Sequence, residues 1–96
     1  MIGVVAKLKI AAGKEAEFED VAKDLMAKVK ANEPGTTTYQ LYKSKTDADT
    51  YIFMEEYASD DALKAHGKTD YFAAAGAKLG PLLAGAPDIQ YFDIVE

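Results

Sequence analysis

The chain has 96 residues, no cysteine and a net charge of −5. This length fits a single domain, 1–96, with a modest core, and the missing cysteines exclude disulfides, thiolate metal ligands and cysteine nucleophiles. All eleven basic residues are lysines scattered among acids, whereas arginine is the usual residue for bidentate phosphate or guanine contacts, so neither nucleic acid nor an anionic membrane is expected as a partner.

The N-terminal segment is strand-like. Every second residue from Ile2 to Ile10 is apolar, and Lys7 and Lys9 point the other way, which predicts a half-buried strand that Ala11-Ala12-Gly13 breaks. There is no signal-peptide layout ahead of this strand, and no apolar run approaches the ~20 residues that span a bilayer. We therefore expect a cytoplasmic protein without a membrane partner.

An amphipathic helix is expected next. Apolar residues from Phe18 to Val29 recur at helical spacing, which predicts one buried stripe. Acids dominate early in this segment and lysines late, as the helix dipole favours. Pro34-Gly35 should end the helix near Asn32.

Two further strands and a loop follow. Thr36 to Lys43 and Tyr51 to Tyr57 are rich in residues that favour strands, and the turn-like Thr46 to Asp49 lies between them, which predicts a hairpin. Ile52 and Met54 alternate with the large aromatic residues of the second of these strands. Because both of its sides carry large residues, we expect both faces to be buried.

The remaining elements complete a recognisable order. Ser59 can cap a helix that Gly67 interrupts, Thr69 or Asp70 can cap a short continuation, and a last strand is expected from Ile89 to Val95. The resulting β-α-β-β-α-β order, with the second helix split, predicts an α+β, ferredoxin-like fold with an antiparallel sheet. Such a sheet has helices on one face only, and in so short a chain a second subunit is the simplest cover for the other.

His66 is the only histidine and the first candidate for chemistry. An imidazole changes charge near neutral pH, so His66 could act as a general base; it could equally be a helix-end histidine satisfied by solvent or a carbonyl. Tyr57 and Tyr71 flank its segment, and their phenols could donate to a carbonyl or an oxyanion.

Three other polar residues have two possible roles each. Glu55 and Glu56 are adjacent on a strand and should point to opposite faces, so they cannot form a carboxylate dyad. One of them could orient a polar partner, or it could be an exposed acid or part of a salt bridge at an interface. Asn32 could cap the end of its helix or donate to a ligand oxygen.

A single histidine without cysteine makes zinc or haem ligation unexpected.

Short motifs in order along the chain resemble the antibiotic biosynthesis monooxygenase family, part of the dimeric α/β-barrel group. The resemblance covers nearly the whole chain, and each motif is weak alone. The motifs are the alternating first strand, N-E-P-G-T at Asn32 to Thr36, Y-x-x-x-E-E-Y at Tyr51 to Tyr57, S-x-x-A-L-x-x-H at Ser59 to His66, Tyr71-Phe72 and L-x-P-L-L at Leu79 to Leu83.

The resemblance implies a homodimer with its two sheets packed face to face, and a pocket between each sheet and its helices. It implies oxidation of a small planar aromatic substrate, of quinol or polyphenol type, by O₂ without metal, flavin or haem. His66 would then be the base, with Tyr57, Tyr71 and Asn32 as positioning groups. A haem-degrading branch has an iron-binding histidine near the place of Gly76, which offers no ligand here.

Two other functions remain open at this point. One is a non-catalytic dimeric domain that binds a small hydrophobic ligand or serves in a stress response. The other is an isomerase or decarboxylase, because a single base in an apolar pocket also suits proton transfer without O₂.

Overall fold

A computed structural model describes residues 1–96 and has the predicted order of elements. Four strands form one antiparallel sheet in the order β2-β3-β1-β4, and the helices pack on one of its faces. The predicted ferredoxin-like α+β fold is therefore confirmed. The elements are β1 Ile2–Lys9, α1 Glu15–Asn32, β2 Thr36–Lys43, β3 Thr50–Tyr57, α2 Asp60–Gly67, α3 Asp70–Leu79, a 3₁₀ turn Gly80–Leu82 and β4 Asp88–Asp93.

The two short helices begin at hydroxyl caps. The Oγ atom of Ser59 accepts a hydrogen bond from the backbone N–H of Ala62 at 3.1 Å, and Oγ1 of Thr69 accepts one from the N–H of Phe72 at 3.3 Å. Of the two residues that could cap the continuation, Thr69 is therefore the one that does so. These caps separate α2 from α3 and set the direction in which each helix crosses the sheet.

The last strand is shorter than the sequence suggested. It ends at Asp93, not at Val95, because β1 begins at Ile2 and Ile2 pairs with Asp93. Beyond that pair a single backbone bond remains, from the N–H of Ile94 to the oxygen of Met1 at 3.2 Å, where the chain of β1 begins. Strand β4 pairs with β1 alone and lies at an edge of the sheet.

The core lies between the sheet and the helices. Alternate residues of β1 and β3 turn one face of the sheet, here called the inner face, toward α1. Phe18 and Ala22 of α1 are completely buried against it. The inner-face residues buried in β1 and β3 are Val4, Ala6, Leu8, Tyr51, Phe53 and Tyr57.

The opposite side, here called the outer face, carries apolar side chains that nothing in the chain covers. Val5 pairs with Met54, and Ile52 pairs with Tyr42, so these four residues share that side. Met54 is 42% exposed and Tyr42 is 47% exposed. Within one chain, β3 is therefore buried on its inner face only.

No helix of the chain combines the length and the apolar character that crossing a bilayer would require.

Candidate functional site

A cavity of about 550 Å³ lies between the inner face of the sheet and helices α2 and α3. Most of the side chains that line it are apolar. This volume lies within the range of small-molecule sites, which are mostly apolar with a few placed polar groups. The side chains with polar atoms that line it are His66, Glu55, Tyr39 and Tyr91.

His66 is held at the cavity wall by a carboxylate and by three aromatic rings. Its Nδ1 atom lies 2.9 Å from Oε1 and 3.0 Å from Oε2 of Glu33. The centres of the Phe72, Tyr39 and Tyr57 rings lie 4.6, 5.1 and 5.5 Å from the centre of the imidazole. Because the His66 side chain is only 5% exposed, its ring has little freedom to turn.

Glu33 lies directly after α1, in the loop that leads to β2. Besides His66, it accepts hydrogen bonds from the phenol of Tyr71 and from Oγ1 of Thr36, the latter at 2.8 Å. Burial by itself raises the pKa of this carboxyl, but the bonds from Tyr71, His66 and Thr36 outweigh it and lower the pKa below its usual value. Glu33 is therefore an ionised carboxylate at neutral pH.

The ionised Glu33 determines which nitrogen of His66 carries the proton. A carboxylate only accepts hydrogen bonds, so Nδ1 must be the donor, and the lone pair of the neutral ring is on Nε2. Nε2 makes no hydrogen bond within the chain. The arrangement therefore presents a basic nitrogen at an apolar cavity, with a negative charge behind it to stabilise the imidazolium that proton uptake would produce.

A second carboxyl group lines the same cavity. Glu55 lies on the inner face of β3, and its Oε1 accepts a hydrogen bond from the phenol of Tyr57 at 2.5 Å. Burial raises the pKa of Glu55, and the Tyr57 bond opposes this only in part. Its neighbour Glu56 lies on the outer face, where Oε1 accepts a bond from Thr38 at 2.8 Å. The two adjacent acids thus point to opposite faces, as the strand alternation predicts.

The four residues singled out by the sequence occupy different places. His66 lines the cavity, whereas Tyr57 and Tyr71 each bond to a carboxylate next to it, Glu55 and Glu33 respectively. Asn32 does not line the cavity. Its Nδ2 donates to the backbone oxygen of Lys28 at 2.8 Å, in its own helix.

Glu33 is the site residue that sequence reasoning missed. In the sequence Glu33 is one residue of the N-E-P-G-T motif, and one signal there points to it. An acid directly after the last turn of a helix faces the negative end of the dipole and needs other partners there. The structure supplies them from β2, α2 and α3. Nowhere in the chain do three histidine, aspartate or glutamate side chains come together as a group that could hold a metal ion.

The family model for antibiotic biosynthesis monooxygenases matches residues 1–78, so the chain belongs to that family. It is 63% identical to a "putative antibiotic biosynthesis monooxygenase" of Caulobacter crescentus, whose crystal structure superposes with a TM-score of 0.96 over 99% of this chain and 90% of that one. It is 28% identical to "Putative monooxygenase YcnE" of Bacillus subtilis over the whole of both chains. An uncharacterised Synechocystis protein is also 28% identical, over 99% of this chain but only 64% of that protein.

Proposed function

We propose that the protein is a monooxygenase that oxidises a planar, hydroxylated aromatic of quinol or polyphenol type with O₂, using His66 as the base and no cofactor. Family membership and the name of the Bacillus relative support the class of reaction. The observation that carries the proposal is the free Nε2 of His66 at an apolar cavity, with Nδ1 bonded to Glu33.

The chemistry follows from what deprotonation does to a phenol. Loss of the hydroxyl proton makes the ring electron-rich enough to reduce O₂ itself. The protein then needs to supply a base, an apolar cavity and groups that stabilise or discharge the negative charge that develops on oxygen. His66 is the base, and Glu33 stabilises its protonated form.

The phenols next to the site act through carboxylates. Tyr71 and Thr36 hold Glu33 in the position from which it orients His66. Tyr57 packs against the imidazole and bonds to Glu55. We assign all three to positioning, and we give Asn32 no part in the chemistry because its amide is bonded within α1.

We also propose that two copies of the chain associate through their outer faces. The exposed, apolar Met54, Tyr42 and Phe92 lie on this side of the sheet. A small domain gains buried apolar area most simply by pairing such a face with an identical one. The inner face and its cavity remain separate in each subunit of this dimer.

The test is O₂ uptake by metal-free protein with a panel of reduced quinols and polyphenols. We expect saturable uptake above autoxidation, with a quinone or hydroxylated product, and a large loss of turnover in His66→Ala. Lys64→Ala, an exposed change on the same helix, is the matched control. Turnover unchanged in His66→Ala would remove His66 from the mechanism.

The same panel separates the other two functions. Saturable binding of an aromatic without O₂ uptake would favour a ligand-binding domain. Under anaerobic conditions, exchange of a substrate C–H hydrogen with solvent would favour an isomerase, and loss of a carboxyl group would favour a decarboxylase. The His66–Glu33 pair can move a proton for either reaction without O₂.

A further inference from the structure

Glu55 occupies the middle of the inner face, where a carboxyl group is costly to bury. It lies on one of the two central strands, directly opposite Tyr39 of β2 on one side and Val4 of β1 on the other. Phe53 and Tyr57 are its neighbours along the same face of β3 and are both buried. A chain under selection for packing alone would place an apolar side chain here, so the carboxyl requires another explanation.

Only one of the two carboxyl oxygens of Glu55 accepts a hydrogen bond. Oε1 accepts the bond from Tyr57, whereas Oε2 has no partner in the chain. Every fully buried side-chain oxygen or nitrogen of the chain has a hydrogen-bond partner, so the unpartnered Oε2 is not fully buried. Because Glu55 lines the cavity, Oε2 is the atom that a molecule in the cavity can reach.

The two carboxyl groups near His66 have opposite environments. Glu33 receives three hydrogen bonds and is held ionised, whereas Glu55 receives one and is surrounded mainly by apolar side chains. The charged or titratable groups that act on Glu55 are Tyr57 on its own strand, Tyr39 on β2, His66 on α2 and, from the loop after α1, Glu33. Titratable groups in one site whose environments push their pKa values apart are the usual pattern of a base and an acid, here His66 supported by the ionised Glu33 on one side and Glu55 on the other.

We propose that Glu55 is the acid of the oxygenation, the group that protonates the leaving oxygen when the O–O bond of the oxygenated substrate breaks. This inference rests on the function proposed above and adds a second proton-transfer residue to it. It also narrows the substrate to a phenol with a hydrogen-bearing ring carbon ortho or para to the hydroxyl, so that O₂ can bond to that carbon.

The step balances with the two groups in these roles. His66 takes the hydroxyl proton, two electrons of the ring form a carbon–oxygen bond to O₂, and the imidazolium returns its proton to the outer oxygen to give a hydroperoxide. His66 then takes the hydrogen of that ring carbon as a proton. The electron pair of the C–H bond forms the C=O bond, and the O–O bond breaks.

The leaving hydroxide takes the carboxyl proton of Glu55 and departs as water, and the proton on His66 restores Glu55. One phenol and one O₂ have become one quinone and one water. Without an acid at this position, hydroxide is a poor leaving group. A substrate that carries a second hydroxyl ortho or para to the first then expels the hydroperoxide anion instead. The anion takes the proton of the second hydroxyl and departs as H₂O₂, and the oxygen left behind forms the C=O bond of the unoxygenated quinone.

The experiment compares Glu55→Gln with Glu56→Gln on a substrate found by O₂ uptake. Glutamine keeps the oxygen that accepts the Tyr57 bond but cannot donate a carboxyl proton. We expect kcat to fall ~100-fold or more in Glu55→Gln, with little change in KM, and H₂O₂ to replace water as the product of O₂. Glu56→Gln, on the outer face, should match the wild type in rate and product ratio.

Tyr57→Phe provides an independent variant that keeps the carboxyl. It removes the one hydrogen bond that favours the ionised form, so the basic limb of the kcat profile should move to higher pH. A wild-type product ratio and kcat in a folded Glu55→Gln, or an unmoved basic limb in Tyr57→Phe, would overturn the role of Glu55 and leave the proposed function standing. No O₂ uptake by the wild type would overturn both.

Discussion

The Nδ1 atom of His66 lies within 3.0 Å of both carboxylate oxygens of Glu33, although 33 residues separate the two along the chain. The loop after α1 supplies the carboxylate and the last turn of α2 supplies the imidazole. The orientation of the base therefore depends on how these two parts of the chain dock.

Glu33→Gln should impair the reaction more than it impairs folding. An amide can still occupy the space, but it carries no charge to stabilise a protonated His66. We expect kcat to fall by roughly two orders of magnitude, with substrate affinity largely kept. Glu17→Gln, an exposed change on α1, is the control in steady-state kinetics. A fall in kcat that is fully explained by a smaller folded fraction, measured by thermal unfolding of the same variant, would indicate a purely structural role.

Tyr71→Phe should lower stability at neutral pH and lose this effect in acid. Glu33 has a lowered pKa in the folded state, so its contribution is present above its unfolded value, near 4.5, and is lost as the pH falls through the folded pKa. Removing the Tyr71 donor weakens that contribution, by about 1 kcal/mol.

Urea unfolding at neutral pH and at a pH below the folded pKa of Glu33 checks the effect. Tyr91→Phe is the control, because the Tyr91 side chain is exposed on the inner face of the edge strand and its phenol makes no hydrogen bond. A Tyr71→Phe difference that stays the same in acid would show that Glu33 is not its source.

Alkaline pH should destabilise the protein before its buried tyrosines ionise. Burial raises the pKa of Tyr71 to about 12, helped by Glu33, and it also raises that of Tyr39, Tyr51 and Tyr57. A folded pKa above the unfolded value of 10 means that stability is full below pH 10 and falls as the pH rises toward 12. The phenolate absorbance of these four tyrosines should therefore appear together with unfolding. Complete tyrosine ionisation in the folded protein near pH 10 would contradict this.

Gly35→Ala should disturb the docking of the Glu33 loop on α2. A Cβ at Gly35 would lie 2.8 Å from Cβ of Ala62, too close for two carbon atoms. We expect a loss of about 1–3 kcal/mol in urea unfolding, together with reduced turnover because Glu33 is displaced from His66. Adding Ala62→Gly should restore part of both. Gly85→Ala, where a Cβ meets nothing within 4 Å, is the control.

Met54→Lys should convert the proposed dimer into a monomer. A lysine at the middle of the outer face would place two like charges in the interface and leave them without partners. Light scattering at micromolar concentration measures the change in mass. Ala77→Lys adds the same charge on an exposed helix position and should leave the dimer intact. A wild-type protein that is monomeric at this concentration would contradict the proposal.

Local signals in the sequence were enough to predict the fold. The alternation from Ile2 to Ile10 and the stripe from Phe18 to Val29 each identify an element by its own period, and the hydroxyl of Ser59 marks a helix start. The end of β4 was placed two residues too far because a strand ends where its partner ends. That limit depends on the distant Ile2.

The site was predictable only in part, because its key contacts join residues far apart in the chain. His66 was expected at a pocket, and it lines one. Its partner Glu33 was not expected, since no periodicity relates the loop after α1 to α2. Tyr71 was expected near the ligand, but its phenol reaches Glu33 instead. Glu55 was noted for its possible polar partner, which is Tyr57.

Strand β4 has a consequence for how molecules enter and leave the cavity. Ile89 and Tyr91 form part of the cavity wall, yet all six residues of β4 are exposed and the strand pairs only with β1. Edge segments with little burial open at a lower free energy than the core of a domain. We therefore expect the β4 side of the cavity wall to open more easily than the sides formed by the central strands, so that the residence time of a bound ligand would depend on the fraying of this edge strand.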